Sequence, residues 1–386
     1  MTDIGGFADH GFGKVADAFA QNFGLHGEVG GAFALYVGGR PVVDLWGGSA
    51  DATSGRPWSQ GTLQLVFSTT KGATAVCANR LVEEGRLDLD APVAQYWPEF
   101  AAAGKQDVPV RYVLTHQVGL PFCEDTLTVA DVLAQRPVLQ ALENQAPLWE
   151  PGSAHGYHAL TYGWLVGELV QRIDGRPLGR YFAEEVAGPL GLDFWIGLPP
   201  EEEPRVSTLI PSTPPTDPAL LELMLTVMGP GTMGYRALTV NNAIPWMSAD
   251  YMPWNTPEFH AAEIPAANGI TDARSLARMY AACVTPVDGV RLLSDSQIAA
   301  AATLQTQGID QCLQAETRFG LGFMVDGPFV GMLSPRSFGH PGAGGSLGFA
   351  DPDTGVGFGY VMNQMQSNLA GDPRVLNLIE AVKTSL

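Results

Sequence analysis

The sequence predicts an α+β fold: one domain with an antiparallel sheet flanked by helices, assembled from both chain termini, plus an inserted and mainly helical domain. Three observations carry this. Short apolar runs of strand character lie at both ends, helix-period patterning lies between them, and 386 residues exceed what one hydrophobic core usually organises. The expected boundaries are 1–85 with 261–386 for the sheet domain and 86–260 for the insert.

Taken in order, Phe12, Val15, Phe19 and Phe23 recur at helical spacing over 12–23. Ala32–Val37 and Pro41–Trp46 then flank Gly38-Gly39, the pattern of a β-hairpin. Ala73, Cys77 and Leu81 recur every fourth residue up to the stop at Gly85, so a buried helix is expected to begin near Ser68. Residues 86–190 read as mostly helical, most clearly at Val110–Leu114 and Tyr162–Gly167. Pro199 to Pro218 holds seven prolines and the run Glu201-Glu202-Glu203, which predicts an extended loop. Residues 220–256 concentrate Met224, Met228, Met233, Trp246, Met247, Tyr251, Met252 and Trp254, a composition suited either to a deformable apolar lid or to ordinary core. Strand runs return at Phe319–Val325, Ser346–Ala350 and Val356–Met362, and a final helix opens at Asp372-Pro373. No repeat of 20–50 residues is visible.

Composition bounds the function. Hydrophobic residues are 46% and charged ones 16%, which describes a folded protein. A formal charge of −19 repels phosphate backbones and anionic lipid heads, so neither nucleic acid nor membrane is an expected partner. Cys77, Cys123, Cys283 and Cys312 stand far apart, with no CxxC pair, and fit reduced intracellular thiols. The run Met1-Thr2-Asp3-Ile4-Gly5-Gly6 lacks signal-peptide character and no stretch reaches membrane-span length, so a cytoplasmic location is expected.

Two serine motifs compete for the chemistry. Gly344-Gly345-Ser346-Leu347-Gly348 matches the nucleophile elbow G-x-S-x-G, but an elbow hydrolase needs a histidine after the serine, and the seven histidines at 10, 26, 116, 155, 158, 260 and 340 all precede Ser346. The motif reads as a tight turn between two strands. In Ser68-Thr69-Thr70-Lys71 a hydroxyl and an amine three positions apart share one helix face, so the amine can take the hydroxyl proton. Of the four lysines (Lys14, Lys71, Lys105, Lys383) only Lys71 lies in an apolar helical segment; desolvation there lowers its pKa and makes the neutral amine a usable base. The alternative is a lysine that snorkels to the surface behind a Ser68 N-cap. His155-Gly156-Tyr157-His158 has metal-pair spacing but no nearby cysteine or suitably placed carboxylate. No cofactor or metal is expected.

Ser68-Thr69-Thr70-Lys71, then Tyr157-His158-Ala159, then His340-Pro341-Gly342 resemble the three boxes of the serine β-lactamase and penicillin-binding protein superfamily. More closely, the chain is similar to family VIII carboxylesterases, cytoplasmic esterases built like class C β-lactamases. The similarity extends over most of the length, including Leu114–Leu120 and the Gly-rich C-terminal runs.

The resemblance implies Ser68 as nucleophile, Lys71 as its base partner and Tyr157 as the phenol that shares or relays the proton. It implies an oxyanion hole from the N–H groups of Ser68 and Ala343, and a substrate-binding edge strand at His340 and Gly342; Trp254 is the expected lid contact. Two positions depart from the β-lactamase pattern: Ala159 replaces an asparagine and His340 the common lysine. Both favour simple esters over antibiotics. The expected function is therefore a carboxylesterase for short- to medium-chain esters, with a small-molecule ester as partner. A β-lactamase or D-Ala peptidase, a transesterase or amide hydrolase, and an inert ligand-sensing homologue are the alternatives. Oligomeric state is left open.

Overall fold

The computed structural model describes residues 2–248, 250–367 and 370–386. Met1 of the N-terminal run and residue 249 of the Met/Trp-rich stretch lie outside the described residues. The strands are β1 (Ile4–Ala8), β2 (Gly30–Val37), β3 (Arg40–Asp51), β4 (Arg56–Pro57), β5 (Gln64–Leu65), β6 (Phe194–Ile196), β7 (Gly269–Thr271), β8 (Thr306–Ile309), β9 (Glu316–Phe319), β10 (Met324–Val325), β11 (Phe338–Pro341), β12 (Leu347–Asp351) and β13 (Val356–Met362). The large sheet runs β1-β3-β2-β13-β12-β11-β10-β9-β8, with β4 paired to β3, and every pairing is antiparallel. Strands from the two termini meet at the β2–β13 pair, where Val37 opposes Val356 and Gly31 opposes Met362. The expected α+β architecture with a sheet built from both ends is what the chain adopts.

Alternation along β2 sorts the two faces. Phe33 and Leu35 pack with Val15, Phe19, Leu378 and Val382 of the Gly13–Leu25 and Pro373–Lys383 helices, whereas Ala32, Ala34 and Tyr36 face the other way. On that second face the Ala273–Val284 helix lies directly on the strands. It can do so because Gly357 and Gly359 lack side chains: a Cβ would come within 2.3 Å of the Ala277 carbonyl oxygen and 2.4 Å of that of Ala273. A second sheet, β5-β7-β6, joins Gln64–Leu65 and Phe194–Ile196 to opposite edges of Gly269–Thr271 and delivers the chain to Ser68.

Three expectations change. The run Phe319–Val325 is two strands, because a tight turn closed by Gly320 N–H on the Phe323 carbonyl (2.9 Å), with Gly322 at φ +86°, interrupts it. The Pro199–Pro218 segment is not wholly irregular. Pro200–Arg205 forms a 3-10 helix and Pro218 opens a helix reaching Met228, capped by Asp217; a proline fits a first helical turn because its N–H would be unused there. Finally, Ile4–Ala8, for which no element is expected from the sequence, is an edge strand against β3. No helix among the described residues is long and apolar enough to cross a membrane.

Candidate active site

From β5 the chain enters a 3-10 turn, Phe67–Thr69, that runs straight into the Thr70–Glu83 helix. Phe67 sits at φ +44°, a left-handed conformation costly for a bulky side chain. Its neighbours hold it there: Thr70 Oγ1 donates to the Phe67 carbonyl at 2.5 Å, and the Trp254 ring meets the Phe67 ring edge-on, centroids 5.3 Å apart. The result is that Ser68 is half-buried and faces a cavity of about 570 Å³.

One turn on, Lys71 is fully buried. Its Nζ lies 3.1 Å from Ser68 Oγ, 2.6 Å from the Ala159 carbonyl and 3.1 Å from the Ala266 carbonyl. Among the described residues no carboxylate bonds it, and desolvation holds the amine well below the ordinary lysine range. Proton counting then fixes the geometry of the neutral form. Two carbonyls can only accept, so they take both N–H groups of an –NH₂, and the remaining lone pair points to the one partner that can donate, Ser68 Oγ–H. The snorkelling alternative is removed.

Lys105 is the contrast within the same molecule. It too is buried, a fact that the pattern around it did not signal, but its three partners are the carbonyls of Ala102, Glu143 and Gln145. Three pure acceptors call for three N–H groups, so this amine works as an ammonium staple even though burial brings it down to about 8. Lys105→Met is expected to leave kcat within about twofold while removing on the order of 3 kcal/mol of unfolding free energy, as read by urea titration beside turnover.

Tyr157 reaches the site from a loop whose backbone is pinned by Asp310: Oδ1 accepts from the N–H groups of Tyr157 (2.9 Å), Cys312 (2.8 Å) and Leu313 (2.9 Å). Its ring lies between Phe319 and His340, with centroids at 6.4 and 5.9 Å, and the Lys71 amine is 4.7 Å from its centre. Burial pushes the phenol up, opposed by a hydrogen bond with Ser68, so it is protonated at neutral pH. His155 and His158 do not converge. His155 bonds Thr317 (2.9 Å), while His158 accepts from Leu120 N–H (2.9 Å) and donates to the Gly156 carbonyl (2.6 Å). Burial also holds His158 down to about 3.

His340 and Gly342 require a correction: like the buried Lys71 and Tyr157, neither is among the residues lining the cavity. His340 is buried beneath the Tyr157 ring, donates Nδ1–H to the Pro341 carbonyl (2.7 Å) and is held down to about 3 by desolvation, so it is a neutral ring backing the tyrosine. Gly342 is pressed against the nucleophile turn, where a Cβ would lie 2.2 Å from the Val66 carbonyl oxygen. The strand's contribution to the cavity comes just beyond, from Ala343 and Gly344. Among the described residues, the N–H groups of Ser68 and Ala343 have no acceptor within the protein.

The rest of the wall includes Met224, Met228, Trp246, Met247 and Trp254, five of the eight side chains singled out between 220 and 256; Met233, Tyr251 and Met252 are not part of it. No ionisable side chain lines the cavity among the described residues. Sequence reasoning missed Asp310 and the acceptor carbonyls at Ala159 and Ala266. Ala159 drew notice only for its absent amide, and backbone oxygens carry no residue-type signal.

The chain is similar to known proteins over most of its length. The family model described as Beta-lactamase matches residues 15–383. The chain is 38% identical to Esterase/beta-lactamase LipL of Mycobacterium tuberculosis over 373 residues, covering 94% of this chain and 84% of that protein. Superposition on the crystal structure of a family VIII carboxylesterase gives a TM-score of 0.89 at 39% identity, covering 100% of both chains. A penicillin-binding protein homologue from Caulobacter crescentus gives 0.86 at 40% identity, also covering both chains fully. With Ser68, Ala159 and Ala343 on one cavity wall and the family model spanning nearly the whole length, the resemblance to family VIII carboxylesterases holds, and the chain belongs to the Beta-lactamase family.

Proposed function

We propose that Ser68, Lys71 and Tyr157 form one catalytic unit that cleaves short- to medium-chain carboxylic esters through an acyl-enzyme. The chain is a serine ester hydrolase of the β-lactamase superfamily. In the proposed first step the Ser68 hydroxyl proton moves to the Lys71 lone pair as Oγ attacks the ester carbonyl. The oxygen that becomes negative accepts hydrogen bonds from the N–H groups of Ser68 and Ala343. On collapse the alkoxide leaves with the Tyr157 phenol proton, and the Lys71 ammonium restores that proton to the phenol. Water then repeats the sequence on the acyl-enzyme, returning Ser68. The observation that carries this reading is the 3.1 Å approach of a desolvated amine to the hydroxyl of Ser68, which opens on the cavity beside two unused amides.

The carboxylate of a β-lactam or a D-Ala peptide would meet no cation on this wall, and His340, where relatives carry a lysine, is neutral and out of reach. Intact-mass spectra over a panel of p-nitrophenyl esters and β-lactams test the choice. An acyl adduct mapping to Ser68 with esters and none with β-lactams is expected; fast β-lactam acylation would shift the assignment to the amide-hydrolase alternative.

We also propose that residues 1–85 and 261–386 form the sheet domain and 86–260 a helical insert that brings Tyr157 and a Met/Trp-rich part closing the acyl side, in a cytoplasmic enzyme. Trp254 limits that side by its contact with Phe67. Trp254→Ala is expected to raise kcat/KM for an octanoate relative to a butyrate aryl ester by about tenfold, since each extra buried methylene is worth ~0.8 kcal/mol. An unchanged chain-length profile would make Trp254 plain packing.

A further inference from the structure

We propose that Ser346, the serine of the elbow-like motif, is a positioning residue for ester hydrolysis: its hydroxyl braces the turn carrying the Ser68 amide against the turn carrying the Ala343 amide. The inference rests on the oxyanion-hole reading given above. Ser346 is buried, and its Oγ lies 2.9 Å from the Val66 carbonyl and 3.1 Å from Thr69 Oγ1. The carbonyl can only accept, so the Ser346 proton goes to Val66 and Thr69 donates to Ser346. These two partners flank Phe67-Ser68.

The same residue closes the opposite turn, since its carbonyl accepts Gly342 N–H at 2.7 Å and Gly345 N–H returns to the Gly342 carbonyl at 3.1 Å. Gly342 lets the two turns close on the Ser346 hydroxyl: a Cβ there would stand 2.2 Å from the Val66 carbonyl oxygen across the gap and 2.2 Å from Ser346 Oγ. From behind, buried Arg374 donates to the Gly344 carbonyl (2.8 Å) while paired with Asp372 (2.7 Å) and Glu28 (3.1 Å), which stops the Ala343 turn from backing away. Ser346 itself cannot attack a substrate, with its proton committed to a carbonyl and no side-chain base bonded to it.

Substrate in its ground state is held by the apolar wall, whereas the spacing of the two amides matters most when the carbonyl oxygen becomes an anion. The brace should therefore act on kcat more than on KM. The test compares wild type, Ser346→Ala, Ser346→Cys and Ser68→Ala in p-nitrophenyl butyrate turnover, in the rate of inactivation by a p-nitrophenyl phosphonate, and in thermal unfolding. Ser346→Ala is expected to lose about 10- to 100-fold in kcat and in phosphonylation rate, with KM within about twofold, and Ser346→Cys to fall between it and wild type. Wild-type kcat in the folded Ser346→Ala variant, or a loss expressed wholly in KM, overturns the proposal; if that variant does not fold, wild-type kcat in Ser346→Cys does so. Undiminished turnover by Ser68→Ala would instead overturn the underlying site assignment, and a phosphonate adduct on Ser346 would make it the nucleophile and overturn both.

Discussion

Ser68→Ala is expected to lower kcat for aryl esters by at least about 10⁴-fold while leaving the fold and thermal midpoint close to those of wild type. The change removes one oxygen from a half-buried position on a cavity wall, so little packing is lost. Lys71 keeps both carbonyl partners and loses only the third. The acyl adduct should vanish from intact-mass spectra together with turnover. Persistence of an adduct elsewhere would identify a different nucleophile.

Lys71→Met should cost nearly as much, about 10³- to 10⁴-fold in kcat, because members of a proton-transfer unit fail together. Methionine matches the chain length without the amine. It leaves the Ala159 and Ala266 carbonyls short of a donor, so a destabilisation of roughly 1–3 kcal/mol is expected rather than unfolding. Lys71→Arg should not restore activity, since a guanidinium does not release its proton near neutral pH.

The sign of the pH dependence follows from the depressed amine. Between its folded value and 10.5 the unfolded chain holds a proton on Lys71 that the folded chain lacks, so this residue makes stability rise with pH across that window and stay level below it, where both states hold the proton. Activity has its acid limb at the same ionisation, because only the neutral amine can receive the Ser68 proton. Lys71→Met should abolish both dependences. A retained acid limb in the residual activity would assign it to another group.

Much of this was legible from residue patterns. The four-residue period after Ser68 and the hairpin around Gly38-Gly39 both became the elements expected, because there the local period and the burial pattern agree. Phe319–Val325 misled because its alternation continues through Gly320 and Gly322, whose backbone freedom turns the chain without breaking the apolar pattern. At the site, side-chain chemistry was readable and backbone chemistry was not. Ser68, Lys71 and Tyr157 announce themselves by type and order, but the two carbonyls that orient the Lys71 lone pair belong to alanines, and Asp310 lies far from Tyr157 in the chain. His340 shows the converse: box position implied a substrate contact, but the strand register turns its ring under the tyrosine instead.

The ionisation of Lys71 tests the account most directly. The chain has only four lysines, so ¹³C-labelled lysine gives four Cε resonances, assignable by single substitutions at Lys14, Lys71, Lys105 and Lys383. Followed against pH, the Lys71 signal is expected to keep neutral-amine shifts through pH 7 to 9, where an ordinary lysine is charged, and to move only as acid is added. A Lys71 signal that titrates alongside a solvent-exposed lysine, near 10.5, would contradict the account, because the amine could not then accept the Ser68 proton at neutral pH.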